Sequence, residues 1–215
     1  MLVLGTYTHR HSNKMNLYKL HSNPEQLIHY DQINNLPFYV WGKLNEVGSR
    51  EYFQNNREHI ENVASKDAEL AYNYAKLIGE RFPAGEDVIL SDPEYAAGYA
   101  GQVLENRWPE AEAIIATKPR YAVQYAQRFK EMFRHGRFIE AEPNILKSAV
   151  YSYQYATRVL RHEWPEAEPV IMKEPNTAYD YAYVFKDANW PEAEKYIKQD
   201  NIAWRAYLSS GHHMR

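Results

Sequence analysis

From residue 57 onward the apolar residues fall on helical spacing, and the stripe they make returns again and again. Ala71, Tyr74, Ala75 and Ile78 occupy i, i+3, i+4 and i+7, one face of an α-helix. The same spacing returns as Ala96, Tyr99, Ala100, Val103; as Ala122, Tyr125, Ala126, Phe129; and as Ser152, Tyr155, Ala156, Val159. A further copy is Ala178, Tyr181, Ala182, Phe185. We call this element helix A. A second element, helix B, opens on the string Trp-Pro-Glu-Ala-Glu, which starts at Trp108, Trp164 and Trp190, with degenerate copies at Phe82 and Phe138 and a weaker one at Arg57. Successive starts lie 25, 26, 30, 26 and 26 residues apart.

Counted from each start as zero, offset 17 is always tyrosine: Tyr74, Tyr99, Tyr125, Tyr155, Tyr181 and Tyr207. The stretch from that tyrosine to the next start is 8, 9, 13, 9 and 9 residues. The extra four residues between Tyr125 and Phe138 amount to about one helical turn, so the spacing predicts a longer helix A with an unchanged face. Proline at the first helical position and acid in the first turn suit the start of helix B. Small residues at offset 3 (Gly85, Ala111, Ala141, Ala167, Ala193) stand one turn below isoleucine at offset 7 (Ile89, Ile115, Ile145, Ile171, Ile197), which permits close helix approach. Pro93, Pro119 and Pro175 end each helix B and open the next helix A, with Asp92 as a cap.

Helices of about ten residues are marginal alone in water, and one hairpin cannot hide its own stripe. Stacked neighbours can. The expected fold is therefore mainly α: a right-handed α-solenoid of two-helix repeats over residues 57–215, closed by a half-repeat near the C-terminus. Residues 1–56 read differently. Segments 2–8 and 17–21 alternate around a polar loop and suggest a β-hairpin. A lone hairpin is unstable, so it should dock on the first helices as a cap. Asn23-Pro24-Glu25 reads as a helix start, and residues 37–46 as a second, degenerate helix.

The Trp-Pro-Glu-Ala-Glu strings, with the Ala-Tyr-x-Tyr-Ala motifs at residues 71–75 and 178–182, resemble uncharacterised short helical-repeat proteins of tailed bacteriophages. The resemblance spans residues 57–207. It implies a phage origin and a helical stack, and it brings no catalytic or ligand-binding residue with it. Residues 1–50 lie outside it.

Composition narrows the function classes. Twenty-five basic against 28 acidic residues give a net charge of −3, without the basic excess of a dedicated nucleic-acid binder. The absence of cysteine excludes disulfides, thiolate chemistry and cysteine zinc sites. No apolar run reaches the ~18 residues of a membrane span, so a soluble intracellular protein is expected, and the phage resemblance implies the host-cell cytoplasm as its setting. Four histidines fall in residues 1–50, and His9 with His11 would share a strand face. A metal site would need a third ligand such as His21 or Asp31 to converge, and none is predicted. No Ser-His-Asp spacing, phosphate-binding glycine loop or HExxH motif occurs, so neither an enzyme nor a cofactor is expected.

Glutamate at offset 4 (Glu61, Glu86, Glu112, Glu142, Glu168, Glu194) reads either as an acidic ladder for basic partners or as a first-turn structural residue, and recurrence in every unit favours the latter. The aromatic starts favour packing over a ligand groove on the same ground. The tyrosines flanking the stripe are the candidate binding surface: Tyr95, Tyr121 and Tyr151 at offset 13, and Tyr72, Tyr153 and Tyr179 at offset 15. Arg134 and Arg137 in the long spacer join them. Tyrosine is enriched in interface hot spots. The expectation is a non-catalytic module that binds a host or phage protein. Nucleic-acid binding through tyrosine stacking and Arg128, Arg134, Arg137, Arg158 and Arg161 is the alternative, followed by a histidine-based enzyme site in residues 1–50.

Overall fold

The structure is a computed structural model that describes residues 54–55 and 57–210, together with the backbone of residues 4–7 and 16–19. Among the described residues the protein is mainly helical, and the helices alternate as the repeat predicts. The B helices are α1 (Arg57–Ala64), α3 (Pro83–Ile89), α5 (Pro109–Ile115), α7 (Glu142–Ile145), α9 (Glu168–Ile171) and α11 (Pro191–Ile197). The A helices are α2 (Ala68–Ile78), α4 (Pro93–Tyr99), α6 (Pro119–Arg128), α8 (Ala149–Tyr155), α10 (Pro175–Phe185) and α12 (Asn201–Ser209). Wider π turns extend α4 through Ala100–Leu104 and α8 through Ala156–Leu160. Readings placed on residues 8–15 and 20–50, including the two degenerate helices and the histidine set, lie outside the described residues.

Each A helix packs on the A helix before and after it, and each B helix packs on an adjoining A helix. The contact surface is the predicted stripe. Every offset-17 tyrosine is at most 2% exposed, as are the offset-3 alanines and the offset-7 isoleucines. Caps also fall where the sequence puts them: Asp92 accepts the N–H groups of Glu94 and Tyr95 ahead of α4, and Pro93, Pro119 and Pro175 each open a helix. Asp67, Ser148 and Asp200 cap α2, α8 and α12 in the same way.

Two features depart from the periodic reading. The four-residue insertion does not lengthen helix A: α6 ends at Arg128, and Lys130–Met132 and Arg134–Gly136 form two 3₁₀ turns. The reason is Phe133, 7% exposed, which turns inward to stack on Phe138 at 5.0 Å between ring centres. A straight extra helical turn would not bring that ring back over the core. Arg107 of the preceding unit fastens the turn, its guanidinium 4.0 Å from the Phe133 ring centre and its Nη1 donating to the Met132 carbonyl at 2.9 Å.

The second feature is a left-handed residue three positions before each aromatic start: Gly79 (φ 68°), Glu105 (φ 49°), His135 (φ 56°), Arg161 (φ 61°) and Asp187 (φ 50°). There the chain leaves helix A and turns into the next B helix. Only Gly79 holds this conformation without the Cβ clash that costs other residues about 1–2 kcal/mol. Glu105→Gly is therefore expected to stabilise the protein by about 1 kcal/mol, which a shift of ~2–4 °C in the melting midpoint would register. A lower midpoint would show that the Glu105 side chain has a role of its own.

Candidate functional site, a tyrosine-lined groove on the A-helix face

The repeated polar residues have to be accounted for before any of them is assigned to a ligand. The tyrosine at offset 17 reaches from helix A to the start of its own unit's helix B. Its hydroxyl accepts the main-chain N–H of the aromatic start: Phe82 to Tyr99 at 2.8 Å, Trp108 to Tyr125 at 2.7 Å, Phe138 to Tyr155 at 2.8 Å, Trp164 to Tyr181 at 2.8 Å and Trp190 to Tyr207 at 2.6 Å. The same hydroxyl donates to the offset-4 glutamate, as Tyr99 to Glu86 at 2.8 Å, Tyr125 to Glu112 at 3.0 Å and Tyr155 to Glu142 at 3.0 Å. Tyr74 does so to Glu61, and Tyr181 to Glu168. The main-chain N–H concerned belongs to the first residues of a helix, which have no partner within it, so each tyrosine satisfies an otherwise orphaned donor.

A cation completes this clasp. Arg81, Arg107 and Arg137, each one residue before the aromatic start, grip Glu86, Glu112 and Glu142 with two guanidinium nitrogens. In the next unit Glu163 replaces the arginine, and Lys186 from the end of α10 bridges Glu163 and Glu168, the latter at 2.8 Å. The structure thus engages Glu61, Glu86, Glu112, Glu142 and Glu168 within their own units rather than spreading them as a ladder for a partner. Arg137, one of the candidate binding residues, is likewise held by Glu142. Trp108, Phe138, Trp164 and Trp190 are all 3% exposed or less, so the aromatic starts pack rather than line a groove.

The flanking tyrosines behave differently. Tyr72, Tyr95, Tyr121, Tyr151, Tyr153 and Tyr179 are all half-buried. Tyr72, Tyr95 and Tyr121 come together across α2, α4 and α6 and line a groove of about 290 Å³. The Tyr72 and Tyr95 rings are 5.9 Å apart, and the Tyr121 hydroxyl donates to Glu94 on the neighbouring helix. Burial, with Glu94 nearby, pushes the Tyr121 hydroxyl up to about 12, so these phenols stay neutral donors at physiological pH. Gln102, Gln124, Arg120 and Arg128 supply the groove's remaining polar edge. Further along, Tyr179 meets Tyr183, which is 62% exposed beside the exposed Val184. Tyr151 and Tyr153 pack against the core cluster from α8, between these two regions.

Arg134 is exposed on the spacer turn, with its Nε 3.2 Å from His135 Nε2, and does not line the groove. Sequence reasoning missed Tyr183, Gln102 and Arg120 as members of this face, and named Arg128 only in the nucleic-acid alternative. Their offsets of 19, 20, 12 and 20 place them outside the apolar stripe, and that was the available signal.

No group of three histidine, aspartate or glutamate side chains converges on a metal site among the described residues. Among them, too, no helix is long and apolar enough to cross a membrane. No family model matches the chain, and no curated protein or solved structure matches it. The reading of the site therefore rests on its own geometry.

Proposed function

We propose that this chain is a non-catalytic protein-binding module, a phage accessory protein that engages or inhibits a host protein in the host cytoplasm. In this reading the helices form a right-handed α-solenoid whose A-helix face is the interface. Support for the stack comes from the row of A helices, each packed on the next, which is how repeat proteins share one core. Leu4–Tyr7 pairs antiparallel with Asn16–Lys19, Leu4 opposite Lys19, in keeping with a hairpin at the N-terminal end. That this hairpin caps the stack is part of the proposal.

One observation carries the functional half. The stripe tyrosines are buried with their hydroxyls committed to the clasp, whereas the flanking tyrosines on the A helices are only half-buried, and Tyr72, Tyr95 and Tyr121 line one groove. A tyrosine brings a large, stiff contact area with a polar tip, and truncating one at an interface centre typically costs 2 kcal/mol or more. Tagged full-length protein, incubated with nuclease-treated bacterial host lysate, should retain one protein at stoichiometric level. Joint replacement of Tyr121 and Tyr179 by serine should weaken that retention about tenfold or more. Retention of nucleic acid alone, or of protein only while nucleic acid is intact, would replace this reading with the nucleic-acid one.

A further inference from the structure

Helix α4 differs from every other A helix at two positions beside the apolar stripe. Offsets 16 and 19 carry Asn73 and Lys76 in α2, Gln124 and Gln127 in α6, Gln154 and Thr157 in and after α8, Asp180 and Tyr183 in α10, and Ala206 and Ser209 in α12. In α4 and its π extension both are glycine, Gly98 and Gly101. Neither has a positive φ, so no backbone demand explains them. Each glycine inside a helix costs about 1 kcal/mol against alanine.

What the two glycines gain is approach. A Cβ on Gly98 would stand 3.1 Å from the Tyr72 ring, and one on Gly101 would stand 3.1 Å from the Arg128 side chain. Tyr72 from α2 and Arg128 from α6 therefore lean in over α4 backbone that carries no side chain at Gly98 and Gly101, and these two glycines line the groove.

The charges around this groove are uneven. Lys76 lies 4.9 Å above the Tyr72 ring centre, Arg120 sits 5.6 Å from the Tyr121 ring centre, and Arg128 lies along Gly101. None of these three cations is paired with a carboxylate among the described residues. The nearby carboxylates are hydrogen-bonded to phenols rather than to these cations: Glu94 accepts from Tyr121, and Glu69 engages Tyr95. The groove wall thus carries Arg120 and Arg128 against the single carboxylate of Glu94, with aromatic walls and the amides of Gln102 and Gln124.

Resting on the binding-module reading, we infer that this groove takes an extended acidic peptide segment of the partner protein, with an aspartate or glutamate carboxylate held by Arg128. The glutamine amides serve the segment's backbone, and Tyr72, Tyr95 and Tyr121 pack its side chains. Arg128 is exposed and has no carboxylate partner among the described residues, so an acidic segment gains a charge-assisted hydrogen bond there that a segment without acid cannot make, which sets the preference.

The test is selection of a random peptide library on the immobilised full-length protein, followed by fluorescence polarisation with the individual winners. The winners should be enriched in aspartate and glutamate. Their affinity should fall about tenfold or more with Arg128→Ala, the loss of one charge-assisted hydrogen bond. Gly101→Gln, which restores the residue type α6 carries at the same offset, should weaken binding as much while leaving the melting midpoint equal or higher. That combination separates a blocked groove from a damaged fold. Arg205→Ala, on α12, should change nothing. Basic or neutral winners, tighter binding of an oligothymidine than of any acidic peptide, or acidic winners indifferent to both groove substitutions would each overturn the inference. Lysate protein captured equally well by wild type and by Arg128→Ala would overturn it too, yet leave the binding-module reading standing.

Discussion

Alanine in place of Tyr125 is expected to destabilise the protein by about 3–5 kcal/mol, and phenylalanine there by about 1–3 kcal/mol. The two numbers separate the ring from the hydroxyl. The ring, 2% exposed, lies 4.9 Å from Phe129, 5.9 Å from Phe133 and 5.6 Å from Phe138 between centres. Alanine empties that cluster, and the 3₁₀ turn that presents Phe133 loses its seat. Phenylalanine keeps the packing and removes only the hydroxyl. The Trp108 N–H then has no acceptor in a buried corner, and Glu112 loses a donor while Arg107 still holds it. Repeat proteins transmit stability only between neighbours, so a weakened central unit should also broaden the transition by loosening the coupling of the two flanking arms. Urea unfolding followed by far-UV circular dichroism measures both effects. A phenylalanine variant that unfolds like wild type would mean the hydroxyl bridge contributes nothing net.

Alkaline pH should unfold this protein steeply, and earlier than its near-neutral net charge suggests. The phenols of Tyr74, Tyr99, Tyr125, Tyr155 and Tyr181 are all pushed well above their ordinary value of 10.0, foremost by burial, with a glutamate beside each hydroxyl adding to it. Unfolding releases them to ionise at their ordinary value. Their contribution is therefore whole below pH 10 and is lost progressively as pH climbs toward the folded values. One pH unit above 10 removes about 1.4 kcal/mol per tyrosine, on the order of 7 kcal/mol for the five together. That is comparable with the entire stability of an ordinary domain. The share of tyrosinate absorbance due to the stripe tyrosines should appear in one cooperative step coincident with loss of helix. Absorbance that reaches the full complement of 19 tyrosines with the helix intact would show that the stripe tyrosines titrate in the folded state and are not buried.

The acid limb has the opposite sign. The Arg81 guanidinium holds the Glu86 carboxyl below its ordinary value of 4.5, against the opposing effect of burial. This part of the clasp is present above pH 4.5 and fades as pH falls below it. The plateau of stability should thus span the range between the glutamates and the tyrosines.

Where the sequence spoke in apolar spacing, it was legible. The A stripe, the B-helix starts, the offset-3 and offset-7 pairs and the proline boundaries recur because close packing allows few substitutes, and repetition made each one visible several times. The clasp was half legible. The glutamate and the tyrosine never vary among the first five units, but the cation stands one residue before the start only as Arg81, Arg107 and Arg137, and comes from elsewhere as Arg57 and Lys186. Electrostatic attraction asks only that a positive end reach the carboxylate, so no one position records it in every unit. The left-handed corner was silent because residues as unlike as Glu105, His135 and Arg161 tolerate it at modest cost, and glycine marks it once. The spacer misled, since a four-residue insertion fits a helical turn arithmetically and only Phe133's return to the core rules that out. The groove depends on Gly98 and Gly101, two missing side chains, and a periodicity search for what repeats does not notice what one unit lacks.

Central to all of this is a division of labour among the tyrosines, with one set bound into the clasps and the other presented on the A-helix face. Nitration of the native protein by tetranitromethane, mapped by peptide mass spectrometry, tests that division most directly. The account predicts modification at Tyr183, and more slowly at Tyr72, Tyr121 and Tyr179, while Tyr74, Tyr99, Tyr125, Tyr155 and Tyr181 stay unmodified until denaturant is added. Stripe tyrosines nitrated in the native protein as fast as the flanking ones would contradict it.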